Sequence, residues 1–180
     1  MFFEDLSPCM HVASSLAGGE RLKAVGWLAL GHPYTPRQLP LPETRLGQLL
    51  RLLVNPWQPV YFMGNHECEF CPEESVQVSP EENEGSEEPL VTCRLIDGIE
   101  YVKWETPRVK AYYRRHQIER DGLVVHFGAT NLYVPADGCV YVAPSMIAHY
   151  ADVHRYEQPA VFWEAVMNCP EMAPRPTNRH

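Results

Sequence analysis

Long apolar runs are missing from this 180-residue chain. None reaches the roughly 18 residues that a spanning helix needs, so no membrane partnership is expected. Glycine is scarce, with 11 residues against 17 prolines, and no glycine-rich phosphate cradle occurs. Neither a P-loop, a dinucleotide-binding fingerprint nor a G-x-S-x-G elbow is present, which sets aside those nucleotide-dependent and serine-hydrolase chemistries. Basic charge is also in deficit. A formal net charge of −8 argues against a nucleic-acid partner, because such surfaces neutralise phosphates with lysine and arginine. The start, Met-Phe-Phe-Glu-Asp, lacks the basic and then apolar stretch of a secretory signal, so a cytoplasmic placement is expected.

The chain is 45% hydrophobic and 21% charged, enough apolar material for one sizeable core. Its charge is unevenly spread. Between Arg51 and Arg94 there is no cation, while Glu67, Glu69, Glu73, Glu74, Glu81, Glu82, Glu84, Glu87 and Glu88 all fall there. Within this block, Ser79–Pro89 has mutually repelling charges and nothing apolar, which predicts a mobile acidic loop at 79–89. A basic stretch follows, Lys103, Arg108, Lys110, Arg114, Arg115 and Arg120, interleaved with Trp104, Tyr112 and Tyr113. With the total charge acidic, it reads as an element with one solvated and one packed face rather than as a stacking platform for nucleic acid.

Periodicity predicts an α+β fold: a mainly antiparallel sheet, one helix near residues 44–54 and two short C-terminal helices. Leu46, Leu49, Leu50 and Leu53 recur at helical spacing, and Pro56 limits the far end. Leu22–Leu30 and Pro59–Met63 read as strands. Leu90–Ile96 and Ile99–Glu105 read as a hairpin across Asp97-Gly98. Further strands are expected at Leu123–Phe127, Asn131–Val134 and Cys139–Val142, with Asp137-Gly138 as a turn. Helices are expected at about Ser145–Val153 and Pro159–Met167, where Pro144 and Pro159 suit helix starts. The domain expectation is a single unit over residues 1–169, followed by a disordered tail at 170–180.

The richest chemistry lies in His66-Glu67-Cys68-Glu69-Phe70-Cys71. Two cysteines separated by two residues can bend round one tetrahedral ion, and a histidine two positions earlier can reach it from the entering strand. Nitrogen and sulfur donors together point to zinc as the cofactor. The ligand set is then His66, Cys68 and Cys71, with Cys93, Cys139, His149 and His154 as candidates to complete it. His149 and His154 stand five apart, about 140° of rotation on an ideal helix, so both face one ion only if the helix ends between them. Cys9 and Cys169 read as small buried thiols.

Three chemistries compete for the cluster. A closed knuckle would be structural. An open coordination position would make a hydrolase-type enzyme, with Glu67 as general base; a zinc deaminase would need H-x-E and a separate P-C-x-x-C, which are not present. A dithiol redox site would want Cys68 at a helix N-terminus, but Pro72 follows Cys71 directly and the neighbouring glutamates oppose the thiolate.

The stretch Tyr133–Tyr150 (YVPADGCVYVAPSMIAHY), followed by His154-Arg155-Tyr156 and Gln158-Pro159 and preceded by Gly64-x-His66-x-Cys68-x-x-Cys71, resembles a set of small uncharacterised bacterial proteins. In these a GxHxCxxC-type segment precedes a strand pair and an HYxxxHxY element. The resemblance spans residues 59–167. It implies a bacterial origin and a defined domain, and gathers His66, Cys68, Cys71, His149 and His154 into one constellation without naming an activity. The function expected is a zinc-binding interaction or regulatory module, of immunity or inhibitor type, whose acidic block meets a basic protein partner.

Overall fold

A computed structural model describes residues 1–10, 21–59, 68–71, 90–96, 99–105, 116–128 and 130–171. They fall into two compact units, Met1–Cys71 with Ile118–His180, and Pro72–Gln117. The fold is α+β, with mostly antiparallel pairing and short C-terminal helices.

The first unit is built on a three-stranded sheet of β1 (Leu22–Ala24), β7 (Cys139–Pro144) and β6 (Asn131–Ala136), in the order β1-β7-β6. β6 and β7 form an antiparallel hairpin across Asp137-Gly138, as expected; Gly138 takes the positive φ, +73°, that the turn requires. β1 joins β7 in parallel, Leu22 opposite Val140 and Ala24 opposite Val142. The apolar run Leu22–Leu30 is thus a strand only over its first part. Gly26 has φ +71°, and a Cβ there would stand 3.0 Å from Ile147 Cδ1 and 3.3 Å from Tyr156 Cε1. The chain turns inward at this glycine, and Val25, Trp27, Leu28 and Ala29 are buried outside any ladder. Period-2 patterning cannot distinguish such a buried irregular segment from a strand.

Each face of the sheet has its own core. Leu132, Val134, Tyr141 and Ala143 point to the larger cluster, and Tyr133 and Val142 to the smaller one with Leu22, Ala24, Trp27 and Cys9. This alternation is the strand period at work. Trp27 Nε1 donates to Val142 O at 3.0 Å, which satisfies the indole within the smaller core. Segment 3–9 runs beside β1, with Leu6 N–H on Ala24 O and Cys9 N–H on Leu22 O.

The larger core is closed by α1 (Glu43–Val54), which contributes Leu46, Leu49, Leu50, Leu52 and Leu53. Its start follows Pro42, whose carbonyl accepts from Arg45 and Leu46, and it stops at Asn55 before Pro56. α1 packs on β5 (Leu123–His126), α2 (Ile147–Asp152) and α3 (Ala160–Asn168). Gln48 ties α1 to the end of α3 by donating to Cys169 O at 2.9 Å and Val166 O at 3.3 Å. Those carbonyls are among the acceptors a helix C-terminus leaves open.

β4 (Gln117–Arg120) pairs with β5. The sequence reading omits β4, although Asp121-Gly122, with φ +52° and +76°, is the same two-residue turn signal used elsewhere. In the second unit β2 (Leu90–Ile96) and β3 (Ile99–Glu105) form the expected hairpin, Ile96 opposite Ile99. The expected strand Pro59–Met63 beyond Pro59, the turn 97–98, the acidic loop 79–89, the basic residues 108–115 and the tail from 172 lie outside the described residues. No helix among the described residues is long and apolar enough to cross a membrane.

One polar contact pins the N-terminal segment to the core. Tyr156 is 1% exposed, and its hydroxyl donates to Asp5 Oδ2 at 2.6 Å while Asp5 Oδ1 accepts the Gly26 N–H at 3.0 Å. Replacing Tyr156 by Phe removes a hydrogen bond to a charged acceptor while keeping the ring, so the expected loss is about 2 kcal/mol. Urea unfolding of Tyr156→Phe beside the parent protein checks this; an unchanged midpoint would dismiss the contact as a stabilising one.

Candidate metal centre

Four side chains converge in the first unit: Cys68, Cys71, His149 and His154. The two cysteines come from the short segment 68–71. Its Glu69 carboxylate accepts the Leu30 N–H at 2.8 Å. Phe70 packs its ring against Tyr34, Tyr150 and His154, with centroids 5.6, 6.0 and 5.5 Å away. A carboxylate hydrogen bond and aromatic packing thus hold the segment together.

The histidines come from α2 and the turn beyond it. His149 lies in the helix, which ends at Asp152, and His154 lies past that end. Val153 N–H still bonds His149 O at 2.8 Å, and Tyr156 N–H then reaches back to Tyr150 O at 2.9 Å. Arg155, between them, has φ +54°, a conformation that costs a non-glycine residue about 1 kcal/mol. The helix therefore ends between the two histidines, the condition under which both can face one ion.

Segment 34–37 holds this turn. The Tyr34 hydroxyl donates to His154 O at 3.1 Å, Arg37 N–H to Arg155 O at 2.6 Å, and Arg37 Nη2 to Ala151 O at 2.8 Å. Arg37 Nη1 adds a longer contact, 3.4 Å, to Tyr156 O. A guanidinium on the carbonyls at a helix C-terminus complements both the open acceptors and the helix dipole.

The donor atoms lie within 4.8 Å of one another. His149 Nε2 and His154 Nε2 are 3.1 Å apart, Cys68 Sγ is 3.1 Å from His154 Nε2, and Cys71 Sγ is 3.3 Å from both imidazole nitrogens. Ordinary Zn–N and Zn–S bonds in a tetrahedron place nitrogens about 3.3 Å apart and sulfur about 3.5 Å from nitrogen. These four of the six edges sit a few tenths of an ångström inside those lengths, and the other two are within 4.8 Å. Hydrogen bonds could join such atoms only in pairs, whereas one cation satisfies all four. The residues fit a metal ion.

Burial disfavours charge on Cys68 and His154. It pushes the Cys68 thiol up to about 11, despite backbone donors at Phe70 and Cys71, and it lowers the His154 imidazole. It also raises the Tyr150 phenol, with Cys68 and Glu69 adding to the effect. A dication at the centre would reverse the balance for sulfur, because metal ligation requires thiolate.

The sequence reading and the structure meet on Cys68, Cys71, His149 and His154. His66 and Glu67 lie outside the described residues. Cys93 stands opposite Val102 in β2, in the second unit, and its side chain lies outside the described residues. Cys139 begins β7 beside Tyr141 and is not part of the cluster. Cys9 and Cys169 are buried, as expected. Ser145, expected at a helix start, instead accepts the Gly128 N–H at 2.9 Å and caps no helix.

A family model described as a domain of unknown function, DUF7919, matches residues 1–101 and 105–167. Neither the curated proteins nor the solved structures contain a match.

Proposed function

We propose, from the premise that the chain belongs to the DUF7919 family, that it is a zinc protein in which Cys68, Cys71, His149 and His154 bind one structural ion. The observation that carries the reading is the count of converging donors. Two sulfurs and two nitrogens complete a tetrahedron, which leaves no position for water or substrate, the hallmark of a structural site. A tetrahedral S2N2 set suits zinc, and a reducing, cytoplasmic setting would keep both thiols available.

In this reading the ion ties segment 68–71 to the end of α2, and the chain serves as an interaction or regulatory module. The glutamates from Glu67 to Glu88 supply an acidic sequence for a basic protein partner, in the manner of an immunity protein or inhibitor. A metal-dependent hydrolase is the second reading, favoured by one observation: all four donors are partly accessible rather than fully buried. Glu67 would be its base.

Elemental mass spectrometry on chelator-free protein tests the proposal. The expected content is about one zinc per chain, lost when Cys68 and Cys71 are both replaced by serine. Stoichiometric zinc that survives His149→Ala would shift the assignment to an open, three-ligand site. A folded protein with no metal after reconstitution would overturn both readings.

A further inference from the structure

Resting on the zinc reading, we propose that the centre is a reversible redox latch: peroxide joins Cys68 to Cys71 as a disulfide, which dismantles the metal site, and a dithiol reductant restores it. Three features of the site carry this.

The two sulfurs belong to one four-residue segment, sit in the same cluster and are partly accessible. In a tetrahedral site they would be about 3.8 Å apart. Closing that gap to a bond of about 2.05 Å asks movement of one short segment and none of a core element. Coordination also holds both sulfurs as thiolates, the form that attacks peroxide.

The two halves of the site are held differently. Tyr34, Arg37 and the Tyr156 N–H fix the histidine turn through backbone carbonyls, independently of any ion. The cysteine half is held by the Glu69 contact with Leu30 N–H and by the ring of Phe70. Losing the ion therefore leaves the histidines in place, ready for reassembly once the sulfurs are reduced. The remaining described thiols offer no rival pair: Cys9 and Cys169 are buried, and Cys139 lies outside the cluster.

The chemistry balances with hydrogen peroxide as the oxidant. One thiolate attacks a peroxide oxygen, the O–O bond breaks, and a sulfenic acid and hydroxide result. The second thiolate attacks that sulfur, the S–S bond forms and a second hydroxide leaves. Two electrons pass from the sulfur pair to peroxide, and two solvent protons turn both hydroxides into water. The disulfide sulfurs, now neutral, cease to act as ligands.

The full chain, reconstituted with zinc and assayed for metal content, is titrated with hydrogen peroxide beside a chromogenic zinc chelator. Thiols are counted in parallel and linked peptides identified by mass spectrometry. The expected result is about one zinc released for every two thiols lost, a Cys68–Cys71 linkage, and recovery of both with dithiothreitol and zinc. Cys139→Ser should release zinc at the same peroxide concentration. Zinc retained while other thiols oxidise, release without the Cys68–Cys71 linkage, or a Cys139→Ser chain that no longer releases zinc overturns the latch alone. Failure of the untreated chain to take up zinc overturns the zinc reading with it.

Discussion

Stripping the zinc-loaded protein with EDTA should lower its unfolding free energy by about 4 kcal/mol while leaving it folded. An ion that binds only the native state stabilises it by RT ln(1 + [L]/Kd), about 4.1 kcal/mol when free metal exceeds Kd a thousandfold. The chain should survive the loss, because its two cores are assembled without the cluster. Leu46, Leu49, Leu50, Ile147 and Phe162 fill one, and Trp27, Tyr133 and Val142 the other, all nearly inaccessible to water. For a chain of this length the melting temperature should fall by roughly 8–16 °C. Differential scanning calorimetry on metal-loaded and EDTA-treated protein reads the difference. The Cys68→Ser, Cys71→Ser chain should melt where the stripped parent does and ignore EDTA. Equal melting of loaded and stripped parent would mean that the ion stabilises nothing and would remove the structural role.

The cysteine half of this centre was legible in the sequence for a local reason, and the histidine half only as candidates that needed a helix end between them. Cys68-x-x-Cys71 is a short-range pattern, and so are the leucines of α1 and the Asp-Gly turn between β6 and β7. The structure has the helix and the turn there, and it brings Cys68 and Cys71 into one cluster. The histidine half depends on where α2 stops, and no glycine or proline between His149 and His154 marks that point. The stop is set from far along the chain, by Arg37 donating to Ala151 O and Arg155 O and by Tyr34 donating to His154 O. Such bonds read main-chain carbonyls, which every residue has, so they leave no trace in side-chain patterning. Cys139, one of the candidates to complete the ligand set, is the opposite case. Its residue type suits a ligand, but its register opposite Ala136 at the start of β7 leaves it outside the cluster. The break of β1 at Gly26 had a local sign, the glycine itself. What it lacked was the reason, the approach of Ile147 and Tyr156 to within about a methyl group's reach.

Zinc affinity should weaken steeply in acid, by about 100-fold per pH unit around neutrality. Each thiol sheds a proton to become a ligand, so binding one ion displaces about two protons, and each proton contributes a factor of ten per pH unit. The sign follows from competition: lowering the pH supplies protons that hold sulfur in its non-ligating form. Burial pushes the metal-free Cys68 thiol up to about 11, so that sulfur carries its proton throughout the neutral range and releases it only to the metal. The His154 imidazole is lowered by burial, which keeps it unprotonated further into acid and delays its own contribution to the slope. Competition with a chelator of known proton affinities, at intervals between pH 6.5 and 7.5, measures the slope, and calorimetry in buffers of different ionisation enthalpy counts the protons directly. A count near two keeps both sulfurs in the ligand set. A count near one removes a cysteine and reopens a coordination position to water, which would favour the hydrolytic reading over the structural one.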